Sequence, residues 1–174
     1  MSIANASQHL QVLKAANLTE IRREKNFVHY RLAHEEIYKS WKNFRELGIE
    51  RVAEIKKVVN DFREEKNLLK PINIDELLKR LNSRNVMLLD VRPKQEYNNG
   101  HIPKAINIPP DELSSRLKKL SKSKEYIAYC RGPFCVFADE AVSVLSKKGF
   151  KARRLIEGFP DWKSRELQIE TIHD

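Results

Sequence analysis

The 174-residue chain has little of what announces a special architecture: two cysteines, two tryptophans, two methionines and 8% aromatic residues. Two cysteines do not make a disulfide framework, so a reducing cytoplasm is the expected compartment, and any pairing of Cys130 with Cys135 is expected to be transient or redox-linked. No apolar run approaches the length of a membrane span. The N-terminus lacks the basic-then-apolar layout of a signal peptide, which excludes a membrane partner from the expectation. Metal chemistry is not expected either. Two Cys without a second ligand pair cannot fill the four positions of a zinc site. His29 and His34 have no second cluster to complete one and read as surface or hairpin residues. No cofactor is expected.

What is present is ordinary globular material. Apolar residues make up 41% and charged residues 33%, enough for one domain or two small ones. The net charge of +9 and pI near 9.6 permit a nucleic-acid or other anionic partner. Residues 1–70 carry 14 basic and 10 acidic side chains and the remainder 19 and 14, so the excess is spread along the chain. Charge alone does not single out a DNA-binding half.

Both cysteines lie in Ile127-Ala128-Tyr129-Cys130-Arg131-Gly132-Pro133-Phe134-Cys135-Val136. The apolar run reads as a buried strand, Gly-Pro forces a tight loop, and a helical pattern opens at Val136. A thiol at a strand end facing a helix N-terminus sits where backbone N–H groups and the helix dipole favour an anion. That setting lowers a Cys pKa and frees the thiolate as a nucleophile. The alternative is two small buried hydrophobes.

Ahead of this loop, Ser2 to Asn17 reads as an amphipathic helix with Ser2 as N-cap. Ile3, Ala6, Leu10 and Leu13 form one face, and Asn5, Ser7, Gln8 and Gln11 supply amides and a hydroxyl elsewhere. Leu18 to Ile21 and Phe27 to Leu32 read as strands of a hairpin turning at Glu24-Lys25-Asn26, with Arg22, Arg23, Lys25 and Arg31 around it. Helix and basic hairpin together have the layout of a recognition helix and wing, in which amides read adenine edges and Arg22, Arg23 and Lys25 neutralise phosphate. An ordinary helix and hairpin with a solvated polar face is the competing reading. From His34 to about Asn67 there is no proline and only Gly48 among glycines. Ile37, Trp41, Phe44, Val52, Ile55, Val59 and Phe62 form an apolar stripe, slipping around Gly48, where a kink is expected. A long helix with one such stripe favours the seam of a homodimer, and Leu68-Leu69-Lys70-Pro71 ends it. The expected divisions are residues 1–33, 34–70 and 71–174.

From Ile72 the pattern alternates strand and helix, the mark of an α/β domain. Strands are expected at Val86 to Asp90, Ala105 to Ile108, Tyr126 to Cys130 and Ala152 to Leu155, in a sheet of five or so. Helices are expected at Asp75 to Leu81, Asp111 to Leu120 and Phe137 to Lys148. Sites on such sheets lie at the carboxyl ends of strands, where Cys130 falls.

Two resemblances sharpen these expectations. Ala6-Ser7-Gln8-His9-Leu10-Gln11-Val12-Leu13-Lys14-Ala15-Ala16-Asn17-Leu18, with Arg22-Arg23-Glu24 and Val28-His29-Tyr30-Arg31-Leu32, resembles the winged helix of ArsR-type bacterial transcription regulators. The match begins partway into that domain, because Met1 falls just before the recognition helix, so a partial, N-terminally truncated winged helix is expected. In this resemblance the stretch after His34 corresponds to the dimerisation helix. The second resemblance covers nearly all of Pro71 to the C-terminus. Leu88-Leu89-Asp90-Val91-Arg92, Glu96-Tyr97, Gly100-His101-Ile102-Pro103, Ala105-Ile106-Asn107-Ile108-Pro109 and Glu157-Gly158-Phe159-Pro160-Asp161-Trp162 resemble the signatures of the rhodanese family, with Cys130 at the persulfide-forming position. The fold implied is a central, mostly parallel sheet flanked by helices, behind a partial winged helix and a long dimerisation helix.

The rhodanese resemblance implies sulfane-sulfur transfer from a donor to an acceptor thiol through a Cys130 persulfide. Backbone N–H groups from Arg131 to Val136, among them those of Gly132 and Phe134, would cradle the persulfide, Pro133 contributing none. Arg131 is the nearest cation for an anionic donor, and Asp90, Arg92 and Glu96 brace the loops, Arg92 and Glu96 across one turn. His101 reads as structural. Many rhodaneses close this loop with Arg, whereas Cys135 stands here. That departure argues against efficient use of thiosulfate and offers a second thiol to resolve the persulfide or take up a bridging sulfur chain. Cys135 as a plain helix-start residue remains an equal reading. A Cys-based phosphatase is excluded, since neither Cys135 nor Val136 supplies the closing guanidinium. Three functions stay open: a sulfurtransferase, a sulfur- or redox-responsive DNA-binding regulator with the rhodanese domain as sensor, and a binding module with an inert loop.

Overall fold

The structure, a computed structural model, describes residues 2–52, 54, 57, 58, 61, 69–81, 83 and 85–172. The chain divides into two compact units, Met1–Val52 and Ala53–Asp174.

In the first unit, helix α1 (Ile3–Ala15) starts where the Ser2 hydroxyl accepts the Asn5 N–H at 3.3 Å, as the sequence leads one to expect. Strands β1 (Thr19–Glu24) and β2 (Phe27–Leu32) pair antiparallel around a turn in which Lys25 adopts a φ of 52°. Glu20 lies directly opposite Arg31, and the two side chains bond at 2.6 Å. Helix α2 (Glu35–Arg51) is capped by the His34 ring, which accepts the Glu36 N–H at 3.3 Å. The single helix expected to run from residue 34 to about 67 is interrupted. It passes through Gly48 unbroken and ends at Arg51, where Val52 turns extended (φ −101°, ψ 95°) while its N–H still bonds the Gly48 carbonyl at 3.0 Å. The stripe within α2 is therefore Ile37, Trp41 and Phe44; Ile55, Val59 and Phe62 lie outside the described residues.

The second unit is a four-stranded parallel sheet in the order β4-β3-β5-β6, one strand short of the expected five or so among the described residues. Its elements run α3 (Ile74–Arg80), β3 (Val86–Asp90), α4 (Lys94–Asn98), β4 (Ile106–Asn107), α5 (Pro110–Arg116), a 3-10 turn (Leu117–Lys119), β5 (Glu125–Tyr129), α6 (Phe137–Lys147), β6 (Lys151–Arg154) and α7 (Phe159–Ser164). A lone parallel bridge from Ile72 to Leu155 extends the sheet beyond β6.

Period-two alternation builds two cores from the same strands. Leu89, Tyr126, Ala128 and Cys130 face one side, where they join Leu113 and the α6 residues Ala138, Ala141, Val142 and Leu145. Leu88, Ile127 and Tyr129 face the other, with Ile74 and Leu77 of α3, Ile102 and Trp162. Each fully buried Ile or Leu contributes roughly 1.5–3 kcal/mol of transfer free energy, so both faces anchor β5 firmly. After β3 the chain crosses to β4 on one side, and β5 lies on the other. The carboxyl ends of β3 and β5, at Asp90 and Tyr129, are thus adjacent at the point where the winding reverses. Such a point leaves a crevice, and Cys130 is the next residue.

Candidate functional site

Cys130 follows β5 and is 2% exposed. It is disulfide-bonded to Cys135 with a Cα separation of 6.4 Å, within the range a disulfide spans. The turn between them depends on Gly132, whose φ of 144° is a conformation that side chains resist. The Cys135 N–H donates to the Gly132 carbonyl at 3.1 Å. Of the N–H cradle expected from Arg131 to Val136, that donor is therefore spent inside the loop, and Pro133 has none. The N–H groups of Gly132, Phe134 and Val136 make no hydrogen bond to another described residue. Phe134 and Val136 put apolar side chains at the rim, 50% and 43% exposed.

The loop is clamped from two sides by residues to which the sequence assigned no role. Arg154, the last residue of β6, is buried, and its guanidinium donates to the carbonyls of Gly132 and Pro133, each at 2.9 Å. It also pairs with the buried Asp139 in the first turn of α6, tying sheet, loop and helix together. On the other side, a Cβ at Gly158 would come within 2.6 Å of the Arg131 carbonyl oxygen and closer still to the Arg131 carbonyl carbon and the Gly132 nitrogen. Only glycine lets the two backbones touch there. Next to it, the Phe159 N–H donates to the Cys130 carbonyl at 2.9 Å, while the Asp161 carboxylate accepts the Gly158 N–H at 3.0 Å. The signal for this contact lay in Gly158-Phe159-Pro160-Asp161, a glycine followed by a proline-started helix with Asp at its third position.

Asp90 and Arg92, expected to brace the loops, bond one another at the carboxyl end of β3. Arg92 bonds both Asp90 carboxylate oxygens and reaches the Gly100 carbonyl at 2.7 Å; it lies 4.0 Å from Glu96. Asn107 joins them, donating to the carbonyls of Asp90 and Arg92. The Tyr129 hydroxyl accepts the Ile102 N–H at 3.1 Å, and burial, with Asp90 nearby, pushes its pKa far above the usual tyrosine range. Arg131, expected as a cation for an anionic donor, is engaged instead. Its Nε lies 3.1 and 3.2 Å from the two Glu96 oxygens, its Nη2 bonds the same carboxylate, and that bond raises its pKa. His101 is buried, stacked on Tyr97, with Nδ1 at 2.9 Å from the Tyr97 carbonyl, in keeping with a structural role.

The residues expected to meet DNA lie on the first unit. Asn5, Gln8 and Gln11 of α1 are exposed and Ser7 is half-buried; Arg22, Arg23 and Lys25 are exposed on the hairpin, Arg22 bonding Glu24 at 3.0 Å. The apolar face expected on α1 is uncovered within this unit, with Ile3 91% exposed. Leu13, Leu18, Leu32, Ile37 and Trp41 line an open apolar groove of about 680 Å³. Among the described residues no group of three or more His, Cys, Asp or Glu side chains could hold a metal, and no helix is long and apolar enough to cross a membrane.

Comparison with known proteins bears on both units. The chain is 37% identical over 173 residues to the HTH-type transcriptional regulator Rv0324 of Mycobacterium tuberculosis, across 98% of this chain and 74% of that one. It is 31% identical to the putative sulfurtransferase YtwF of Bacillus subtilis, over 44% of this chain and 72% of the relative. Among solved structures, a rhodanese-like domain protein from Staphylococcus aureus superimposes with a TM-score of 0.52 at 32% identity, over 59% of this chain and all of that one. Residues 73–165, which hold the sheet, Cys130 and both clamps on its loop, match the rhodanese-like domain, and the chain belongs to that family.

Proposed function

We propose that the second unit transfers sulfane sulfur through a persulfide on Cys130. The observation that carries this is the position of Cys130 at the reversal point of the sheet, on a loop whose backbone is fixed by Arg154 and Gly158 and which holds a second thiol in bonding range. In the dithiol form, the Cys130 thiolate attacks the outer sulfur of the donor, the donor's S–S bond breaks, and the donor leaves as its thiolate or sulfite. The Cys130 persulfide then passes its terminal sulfur to an acceptor thiol. Where no acceptor arrives, Cys135 attacks the Cys130 sulfur, hydrosulfide leaves, and the disulfide forms. A thiol reductant returns the pair to the starting state, itself oxidised to a disulfide. The chemistry is carried by side chains alone and calls for no cofactor. The test is turnover of sulfur from inorganic polysulfide to cyanide or a thiol by the reduced protein. Loss of turnover in Cys130→Ser with retained folding supports the reading; turnover that persists in that variant sinks it.

A second reading has its own support, a likeness across 98% of this chain to a protein named as a transcriptional regulator. In it the first unit is a partial ArsR-type winged helix. The amides of Asn5, Gln8 and Gln11, the Ser7 hydroxyl and the cations Arg22, Arg23 and Lys25 meet DNA, and the state of Cys130 and Cys135 alters that binding. The chain would act as a homodimer through the apolar stripe of α2. Salt-dependent, sequence-selective DNA binding that changes on sulfuration supports it; binding indifferent to the thiol state leaves the second unit a turnover enzyme alone.

A further inference from the structure

Three arginines at or beside the thiol loop are each paired with a carboxylate. Arg92 is held by Asp90 on both carboxylate oxygens. Arg154 is held by Asp139 and by the two loop carbonyls it donates to. Arg131, the one whose side chain reaches the surface at 48% exposure, has its Nε and Nη2 turned onto Glu96 of α4. Its guanidinium carbon also sits 5.9 Å from the centre of the Phe137 ring, which fixes it over an apolar surface. The rim is completed by the exposed side chains of Phe134 and Val136. A donor approaching Cys130 therefore meets the apolar side chains of Phe134 and Val136, the N–H groups of Gly132, Phe134 and Val136, and an ion pair that offers no net charge.

We propose that this site selects sulfane donors of low charge, organic hydropersulfides, over the thiosulfate dianion, and that Glu96 is the residue that sets the selection. The inference rests on the Cys130 persulfide reading above and names its donor class. A sulfonate group on the donor needs a guanidinium to offset its charge, and the Arg131 guanidinium reaches it only by leaving Glu96 or by holding both anions side by side. A hydropersulfide brings an alkyl group suited to the apolar rim of Phe134 and Val136, and as R–S–SH it carries no charge. The step balances without a further reagent. The Cys130 thiolate attacks the outer sulfur of R–S–SH, a new S–S bond forms to Cys130, the bond within the donor breaks, and R–S− leaves with the proton of the new persulfide as R–SH.

The test compares rates of Cys130 persulfidation, read by intact mass in single turnover as the persulfide plus the Cys130–Cys135 disulfide it decays to, for the reduced full chain with 2-hydroxyethyl hydropersulfide and with thiosulfate. The wild type is expected to load faster from the hydropersulfide. Glu96→Gln leaves Arg131 free to receive an anion, and the thiosulfate rate relative to the hydropersulfide rate should rise about tenfold, as one new charge-assisted hydrogen bond gives. The gain should shrink in high salt and vanish when Arg131→Gln is added. An unchanged ratio in Glu96→Gln, or a gain that survives loss of Arg131, overturns the proposal. So does a wild type that loads equally well from both donors. Failure of both donors to modify the wild type counts against the persulfide reading itself, whereas loading by both with a ratio indifferent to Glu96 leaves that reading standing and removes this one.

Discussion

Arg154 and Asp139 form the contact at residue scale on which the loop most depends. Both are buried, so truncating one leaves the other as an uncompensated charge in the core. Arg154→Met is expected to lower stability by about 3 kcal/mol or more in urea unfolding. The paired replacement Arg154→Met with Asp139→Leu should recover a good part of the loss while persulfide loading stays impaired, because the Gly132 and Pro133 carbonyls have lost their donor. Gly158→Ala forces a methyl into the Arg131–Gly132 backbone, and a cost of about 1–3 kcal/mol with a slowed Cys130 reaction is the expected outcome. Glu157 offers a test by pH. Burial, the largest influence, raises its pKa above the ordinary glutamate value of 4.5, against the Ile74 N–H and Arg165, which lower it. The folded state then holds a proton that the unfolded state has released, so this group makes stability fall as pH rises above 4.5 through the raised value. Glu157→Gln should flatten that part of the stability profile relative to wild type; an identical slope in both would contradict the assignment. Cys130, Cys135, Asp90 and Arg92 could be singled out in the sequence because each sits in a short motif. Arg154 was not, since nothing in Ala152-Arg153-Arg154-Leu155 says which arginine turns inward. That follows from the strand's pleat, and its partner Asp139 lies fifteen residues earlier.

At the scale of elements, the strands and helices of the second unit follow their hydrophobic periods closely, and boundaries moved by a residue or two. Strand β4 shrank to Ile106–Asn107, and the expected helix from Asp111 to Leu120 became α5 and a 3-10 turn. Helix α2 is where periodicity misled. The three-and-four spacing continued past Gly48 toward Phe62, yet the backbone leaves the helix at Val52. Spacing records which side chains could share a face and does not mark where the backbone leaves the helix. In what remains of the stripe, Trp41 and Phe44 are exposed, at 51% and 76%, and Ile37 is half-buried. If α2 is the seam of a homodimer, Trp41→Glu with Phe44→Glu should give a monomer by light scattering where the wild type is a dimer. A wild-type monomer at the same concentration would remove the dimer from the account.

For the whole molecule, a small helix-and-hairpin unit precedes a rhodanese-like one, and its relative in Mycobacterium tuberculosis carries the name of a regulator along the same stretch. Coupling between the two, if it operates, is reciprocal: a thiol state that weakens DNA binding is itself favoured when DNA is removed. The most direct test of the Cys130 persulfide is the intact mass of the reduced protein after exposure to inorganic polysulfide, beside Cys130→Ser and Cys135→Ser. Cys135→Ser is expected to gain and keep one sulfur atom, Cys130→Ser to form no such stable adduct, and the wild type to end lighter by two hydrogens as Cys135 closes the disulfide. A wild type and a Cys135→Ser variant that both keep their original mass would contradict the persulfide reading and leave the loop as a binding surface.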